Sequence, residues 1–261
     1  MIGLFDSGLG GLFSLRVLQR LLPRADLLYF ADTANLPYGA RTREELFSLT
    51  QDAVALLTAR GAEAVLAACG TVSSVVLPRI SPVRRIPLLG ILEPLGEALP
   101  PDTDGELLLL ATEATVRAGV MERALASRAP RVTVHALPCP SFVELVESGL
   151  PLTDPQKTEN EVARVLRNAR SPAVSAVVLG CTHFSALREP IARLLPRARI
   201  LDGAALAAFS LVRTVAARAP HAATGGGRLT LLTSGEPHRF SEAAARILGY
   251  SVTSEGCPRS V

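Results

Sequence analysis

Apolar runs of strand length alternate with longer amphipathic stretches along the chain. "IGLF" (2–5) leads into "LFSLRVLQRLL" (12–22), "LLYFAD" (27–32) into "TREELFSLTQDAVALLTARG" (42–61), and "AVLAAC" (64–69) into "TVSSVVLPRI" (71–80). The runs "PLLGIL" (87–92), "ELLLLA" (106–111), "RVTVHAL" (131–137), "AVVLGC" (176–181) and "RLTLLTS" (228–234) follow, most of them separated by further helical patterns. Strands that are apolar at nearly every position are buried on both faces. Helices between them supply the cover. The expected class is α/β, with doubly wound parallel sheets.

Turn-forming residues punctuate this pattern. "LPPDTDGE" (99–106) is the clearest domain boundary, a second crossing is expected near "LDGAAL" (201–206), and "HAATGGG" (221–227) reads as an exposed loop. The division expected is 1–96 plus 206–261 for one α/β domain and 97–205 for a second. A chain of 261 residues has ample core for both.

The strand–helix junctions carry the chemistry. Cys69 ends one apolar run and Cys181 another. Laid over each other, "AVLAACGTVSSVVLP" and "AVVLGCTHFSALREP" match as small residue, Cys, then a helical pattern reaching proline nine residues later, at Pro78 and Pro190. Two similar halves related by pseudo-two-fold symmetry are expected, with the two thiols facing each other across the cleft between them. Ligands bind outside the carboxyl ends of parallel strands. A thiol at a helix N-terminus is expected to have a lowered pKa. Two opposed thiols suit a reaction that removes a proton from one face of a carbon and returns one to the other, which is racemisation. Asp6, after the first strand, and His183, two residues beyond Cys181, are polar helpers for the two thiols. A cysteine hydrolase is disfavoured, because a Cys181–His183 contact is awkward at that spacing and Cys69 would have no part.

Composition removes other classes. Apolar residues make up 48%, which argues against disorder. The net charge of +3 is scattered, and with three tyrosines and no tryptophan the chain has little to stack on bases. Nucleic acid is therefore not an expected partner. "MIGLFDSGLGG" lacks a charged leader, and no apolar stretch approaches membrane length, so no membrane partner and a cytoplasmic location are expected. The four cysteines (Cys69, Cys139, Cys181 and Cys257) show no C-x-x-C spacing, so free thiols are expected and no metal site. Cys139 is expected to be packing and Cys257 part of a mobile tail. Lys157 is the sole lysine among 27 Lys and Arg residues and lies in the polar "TDPQKTENE". Racemisation through a pyridoxal phosphate Schiff base is disfavoured on that ground, and no cofactor is expected. "GLGGLF" (8–13) fails the dinucleotide fingerprint, which needs glycine where Phe13 stands.

"IGLFDSGLGGL", "YFADTANLPYG", "AACGT", "ATEATV", "CPSFVELVESG" and "LGCTHF" resemble, in order, the motifs of the glutamate racemases, within the wider aspartate/glutamate racemase superfamily. The resemblance runs from residue 2 to about 210. It implies two α/β domains with the active site between them, and a cofactor-independent racemase making D-glutamate for peptidoglycan. It implies Cys69 and Cys181 as the two bases, assisted by Asp6 and His183, with Glu147 a further carboxylate near the second thiol. Ser7 and the Pro37-Tyr38-Gly39 turn would hold the side-chain carboxylate of glutamate. Thr71, Thr115 and Thr182 would hold the α-carboxylate and its neighbours. The implied partner is this small molecule, with self-association as a homodimer left open.

Two positions depart from the family pattern. Cys-Gly-Thr-Val stands at 69–72 where the family reads Cys-Asn-Thr-Ala, and Ser185 replaces a proline. Losing the asparagine removes a hydrogen bond to the substrate's polar head, worth about 0.5–1.5 kcal/mol, or about 1.5–3 kcal/mol to a charged group. On this reading Gly70→Asn raises efficiency towards glutamate. Racemisation of another acidic amino acid, or an impaired member with a binding or regulatory role, are the alternatives that Gly70 keeps open.

Overall fold

The computed structural model describes residues 1–80, 86–169 and 173–257 and contains two parallel sheets. The first holds β1 (Ile2–Asp6), β2 (Leu27–Ala31), β3 (Ala64–Ala67) and β4 (Leu88–Leu89). The second holds β5 (Asp104–Ala111), β6 (Arg131–Pro138), β7 (Val174–Leu179) and β8 (Arg199–Asp202). The chain then returns to the first sheet with β9 (Leu229–Thr233) and β10 (Ser254–Gly256). The orders are β10-β9-β2-β1-β3-β4 and β6-β5-β7-β8, every pairing parallel.

The first four strands of each half therefore run in the same order, second-first-third-fourth. This is the pseudo-symmetry expected from the cysteine repeat, and it places a topological switch point between β1 and β3 and again between β5 and β7. β1, β2 and β3 are buried along their whole length, as continuous apolar runs between helical layers should be. The Gly11–Leu21 and Gly203–Arg218 helices pack together over the first sheet, sharing a core with residues of both sheets. Ser14 inside that seam donates to the carbonyl of Ala204 at 2.8 Å, so its buried hydroxyl is satisfied.

Two short edge strands, β8 and β10, have no counterpart in the sequence reading. Cys257 is not a loose tail residue. Its N–H donates to Thr233 O at 2.8 Å, extending the β9–β10 pairing. Cys139 is buried immediately after β6, with its thiol donating to the carbonyl of Leu137.

Candidate active site

The two halves set Cys69 and Cys181 identically. Each lies two residues past the end of its strand, β3 or β7, and each starts a helical turn from an extended backbone, with φ/ψ of −138°/121° and −128°/134°. Neither side chain makes an N-cap hydrogen bond to its own helix. Both are 5% exposed.

They line one cavity of about 390 Å³, within the range of small-molecule sites. The first half contributes Asp6, Ser7, the Pro37–Tyr38–Gly39 turn, Cys69 and Thr71 to its wall. The second contributes Glu147, Cys181, Thr182 and His183. No Lys or Arg among the described residues lines it; its polar lining is hydroxyls, the carboxyls of Asp6, Glu113, Glu144 and Glu147, and the His183 imidazole.

Hydrogen bonds across the seam fix the walls. Thr182 Oγ1 donates to Asp6 Oδ2 at 3.0 Å, the Leu9 N–H donates to Glu147 Oε1 at 2.9 Å, and the hydroxyls of Thr71 and Thr112 meet at 3.0 Å. Asp6 Oδ1 also takes the Gly8 N–H at 2.7 Å. Tyr38 is held from outside the cavity, its hydroxyl donating to Asp32 Oδ2 at 2.7 Å.

The surroundings of the two thiols differ. Nδ1 of His183 lies 3.7 Å from Sγ of Cys181, and its Nε2 lies 2.5 Å from Oε1 of Glu147. The 3₁₀ turn Thr182–Leu187 folds the imidazole back onto the sulfur, so the contact judged awkward from spacing is made. Burial alone would lower the pKa of His183. Its hydrogen bonds to Cys181 and Glu147 outweigh that and hold it well above 6.5, leaving a cationic ring between sulfur and carboxylate. Burial likewise works to raise Glu147, but the hydrogen bond from His183 prevails and holds its carboxyl below 4.5.

Cys69 behaves the opposite way. Burial first, and then the Asp6 carboxylate, push its thiol far above the ordinary value; the N–H groups of Val72 and Thr71 oppose this and lose. The expected lowering at a helix start is therefore overturned at Cys69, because desolvation outweighs a few backbone dipoles at the head of a six-residue helix. Asp6, 0% exposed, is itself raised above 3.8 by burial, against the pull of His183 and its hydrogen bonds.

Two expected substrate contacts stand back from the cavity. Thr115 accepts from Thr112 Oγ1 at 3.0 Å, and it is Thr112 that faces the cavity. Thr112 follows β5 just as Ser7 follows β1. Aligning those two strand ends, as the cysteines were aligned, is the signal that would have found it. Gly70 is buried against the facing turn, where a Cβ would overlap the carbonyl oxygen of Gly180. The ground for expecting Gly70→Asn to improve the site is thereby removed. Leu36, Ala40, Glu113, Pro140, Val143 and Glu144 complete the wall without a sequence signal of their own. Lys157 lies exposed in the Pro155–Val165 helix.

Residues 15–211 match the model of the Asp/Glu/hydantoin racemase family. The chain is similar to a glutamate racemase of Desulforudis audaxviator, 34% identical over 257 residues, 95% of this chain and 93% of the relative. Among solved structures, the glutamate racemase of Thermus thermophilus in complex with beta-chloro-D-alanine matches with a TM-score of 0.83 at 33% identity, covering 98% of this chain and 96% of that one. A glutamate racemase of Bacillus anthracis matches with a TM-score of 0.89 at 26% identity, over 98% of this chain and 97% of that one. The Escherichia coli glutamate racemase, solved with L-glutamate and the activator UDP-MurNAc-Ala, matches with a TM-score of 0.83 at 26% identity, over 100% and 99%. With two thiols lining one cavity and these relatives along nearly its whole length, the chain belongs to the Asp/Glu/hydantoin racemase family and, within it, to the glutamate racemases, which are amino-acid racemases.

Proposed function

We propose that this protein interconverts L- and D-glutamate without a cofactor, using Cys69 and Cys181 as the two proton-transferring groups. The observation that carries this is the arrival of two thiols from equivalent strand ends of two similar halves in one buried cavity. One thiolate takes the α-proton: the Cα–H bond breaks, an S–H bond forms, and the electron pair stays on the substrate carbanion. The opposite thiol then gives its proton to the other face, forming the new Cα–H bond and leaving a thiolate.

The unequal surroundings support a resting state with Cys69 as the acid. Its thiol is held protonated, while Cys181 has the His183 cation at 3.7 Å and Glu147 behind it. Turnover in the other direction needs the Cys69 proton to leave first. Asp6, on the wall of the same cavity, is the acceptor this reading assigns to it.

Ser7 and the Pro37–Tyr38–Gly39 turn would receive the side-chain carboxylate. Thr71, Thr182 and Thr112 would receive the α-carboxylate, with Thr115 holding Thr112. The acidic wall of Asp6, Glu113, Glu144 and Glu147 complements the substrate's ammonium group. The Escherichia coli relative holds L-glutamate, which supports glutamate over other acidic amino acids. Supply of D-glutamate for peptidoglycan, in the reducing cytoplasm that suits four free thiols, completes the reading. The working division into residues 1–96 plus 206–261 and 97–205 goes with it, supported by the way the strands fall into the two sheets.

The test is polarimetry on purified protein with L-glutamate and L-aspartate, each alone and in competition, with no cofactor added. Racemisation of glutamate with aspartate inert is expected. Preference for aspartate would overturn the substrate.

A further inference from the structure

We infer that Gly70 is a positioning residue that sets how closely the two thiol-bearing turns approach, and so couples proton removal on one face to proton return on the other; this rests on the racemase reading above. A Cβ at position 70 would overlap the Gly180 carbonyl oxygen, and would lie 3.1 Å from the carbonyl carbon of Gly180 and 3.4 Å from Cα of Cys181. All three atoms are backbone, and all belong to the opposite half. A clash with backbone is not relieved by a change of rotamer. It is relieved by a shift of main chain, either of the Cys69–Gly70 turn or of the Gly180–Cys181 peptide that carries the second thiol, and either shift alters how the two turns meet.

The same seam is closed by Thr71 on Thr112, Asp6 on Thr182 and Leu9 on Glu147. Gly10 is pressed against it too, its Cβ position lying 2.5 Å from both Thr182 Oγ1 and His183 Nδ1. The backbone nitrogen of His183 lies 2.7 Å from that Gly10 position, so main chain meets main chain here as well; at Gly70 all three nearest atoms are main chain. A side chain there therefore acts as a wedge placed between the residues next to the two sulfurs. Separating the turns by about 1 Å costs on the order of 100-fold in a reaction that needs both groups aligned on one carbon. Exchange of the α-proton at a single thiol needs only one of them.

The test compares the parent, Gly70→Ala and, as control, Gly96→Ala, where a Cβ meets nothing within 4 Å. Each is incubated with L- and with D-glutamate in D2O, following α-proton loss by NMR and inversion by polarimetry, with a thermal melt of each protein. Gly70→Ala should melt cooperatively and invert on the order of 100-fold more slowly than the parent. Exchange with retention should fall much less, so the exchange-to-inversion ratio rises at least about tenfold. Gly96→Ala should keep the parent ratio. Parent-like inversion by Gly70→Ala overturns the inference, as does a parallel fall of exchange and inversion. Loss of cooperative melting overturns it too, because the nearest atoms at position 70 belong to the facing half and not to its own core. A folded parent inert to both enantiomers fails the racemase reading and the inference with it. An active parent with an unchanged ratio in Gly70→Ala fails the inference alone.

Discussion

Nε2 of His183 lies 2.5 Å from Oε1 of Glu147, and the ring's other nitrogen faces the sulfur of Cys181. The pair stabilises the fold in a definite pH window. The folded pKa of Glu147 is below its ordinary 4.5, so its contribution is present above 4.5 and is lost as pH falls through the folded value. The folded pKa of His183 is above its ordinary 6.5, so its contribution is complete below 6.5 and is lost as pH rises through the folded value. Both are in force between 4.5 and 6.5. Glu147→Gln should therefore melt lower than the parent by the widest margin in that window. The expected gap is about 1.5–3 kcal/mol, roughly 3–12 °C. Melting curves across the pH range check this, and a gap that is flat from acid to alkaline pH would contradict it.

Thr182 ties the turn of Cys181 to Asp6 of the other half at 3.0 Å. Thr182→Val keeps the shape and removes the donor, leaving a buried carboxyl oxygen short of a partner. A loss of about 1.5–3 kcal/mol from the transition state corresponds to roughly 10- to 150-fold in kcat/KM. Steady-state kinetics with glutamate should show it, and an effect under about twofold would mean the link is idle in turnover.

Tyr38 contributes to the cavity wall while its hydroxyl is spent on Asp32. Tyr38→Phe should loosen the 37–39 turn and raise KM by roughly 2- to 10-fold, with a smaller change in kcat, since one neutral hydrogen bond is worth about 0.5–1.5 kcal/mol. A fall in kcat alone would instead place the hydroxyl in the chemical step.

Neither thiol can serve both faces of a carbon. Cys69→Ala and Cys181→Ala should each lower the inversion rate by about 10²- to 10⁴-fold, the usual loss of an acid–base group. Polarimetry is sufficient, and either variant racemising at the parent rate would end the two-thiol scheme.

The central strands and both cysteines were legible because a buried parallel strand writes itself as an uninterrupted apolar run, and the β3 and β7 runs each lead into a cysteine. β8 and β10 were not, being short edge segments, "RILD" and "SEG", without such a run. Thr112 and the steric role of Gly70 depend on how one half meets the other, which no local pattern encodes. The pKa direction at Cys69 is not legible in the sequence for a related reason. A helix start is visible in sequence, whereas the depth of burial and the nearness of Asp6 arise only in the assembled fold. Glu147 was reached through family resemblance alone. Its bonds to His183 and Leu9 span 36 and 138 residues.

The most direct test of the two-thiol account is the isotope at Cα of the first product formed. Protonated L-glutamate is mixed with the parent protein in D2O, and the two enantiomers are separated and their α-positions read by mass spectrometry at low conversion. If one thiol removes the proton and the other returns a solvent-derived deuteron, the D-glutamate is fully deuterated while the remaining L-glutamate keeps its proton. D-glutamate that retains the original proton, or L-glutamate that gains deuterium as fast as inversion proceeds, would mean that a single group works both faces.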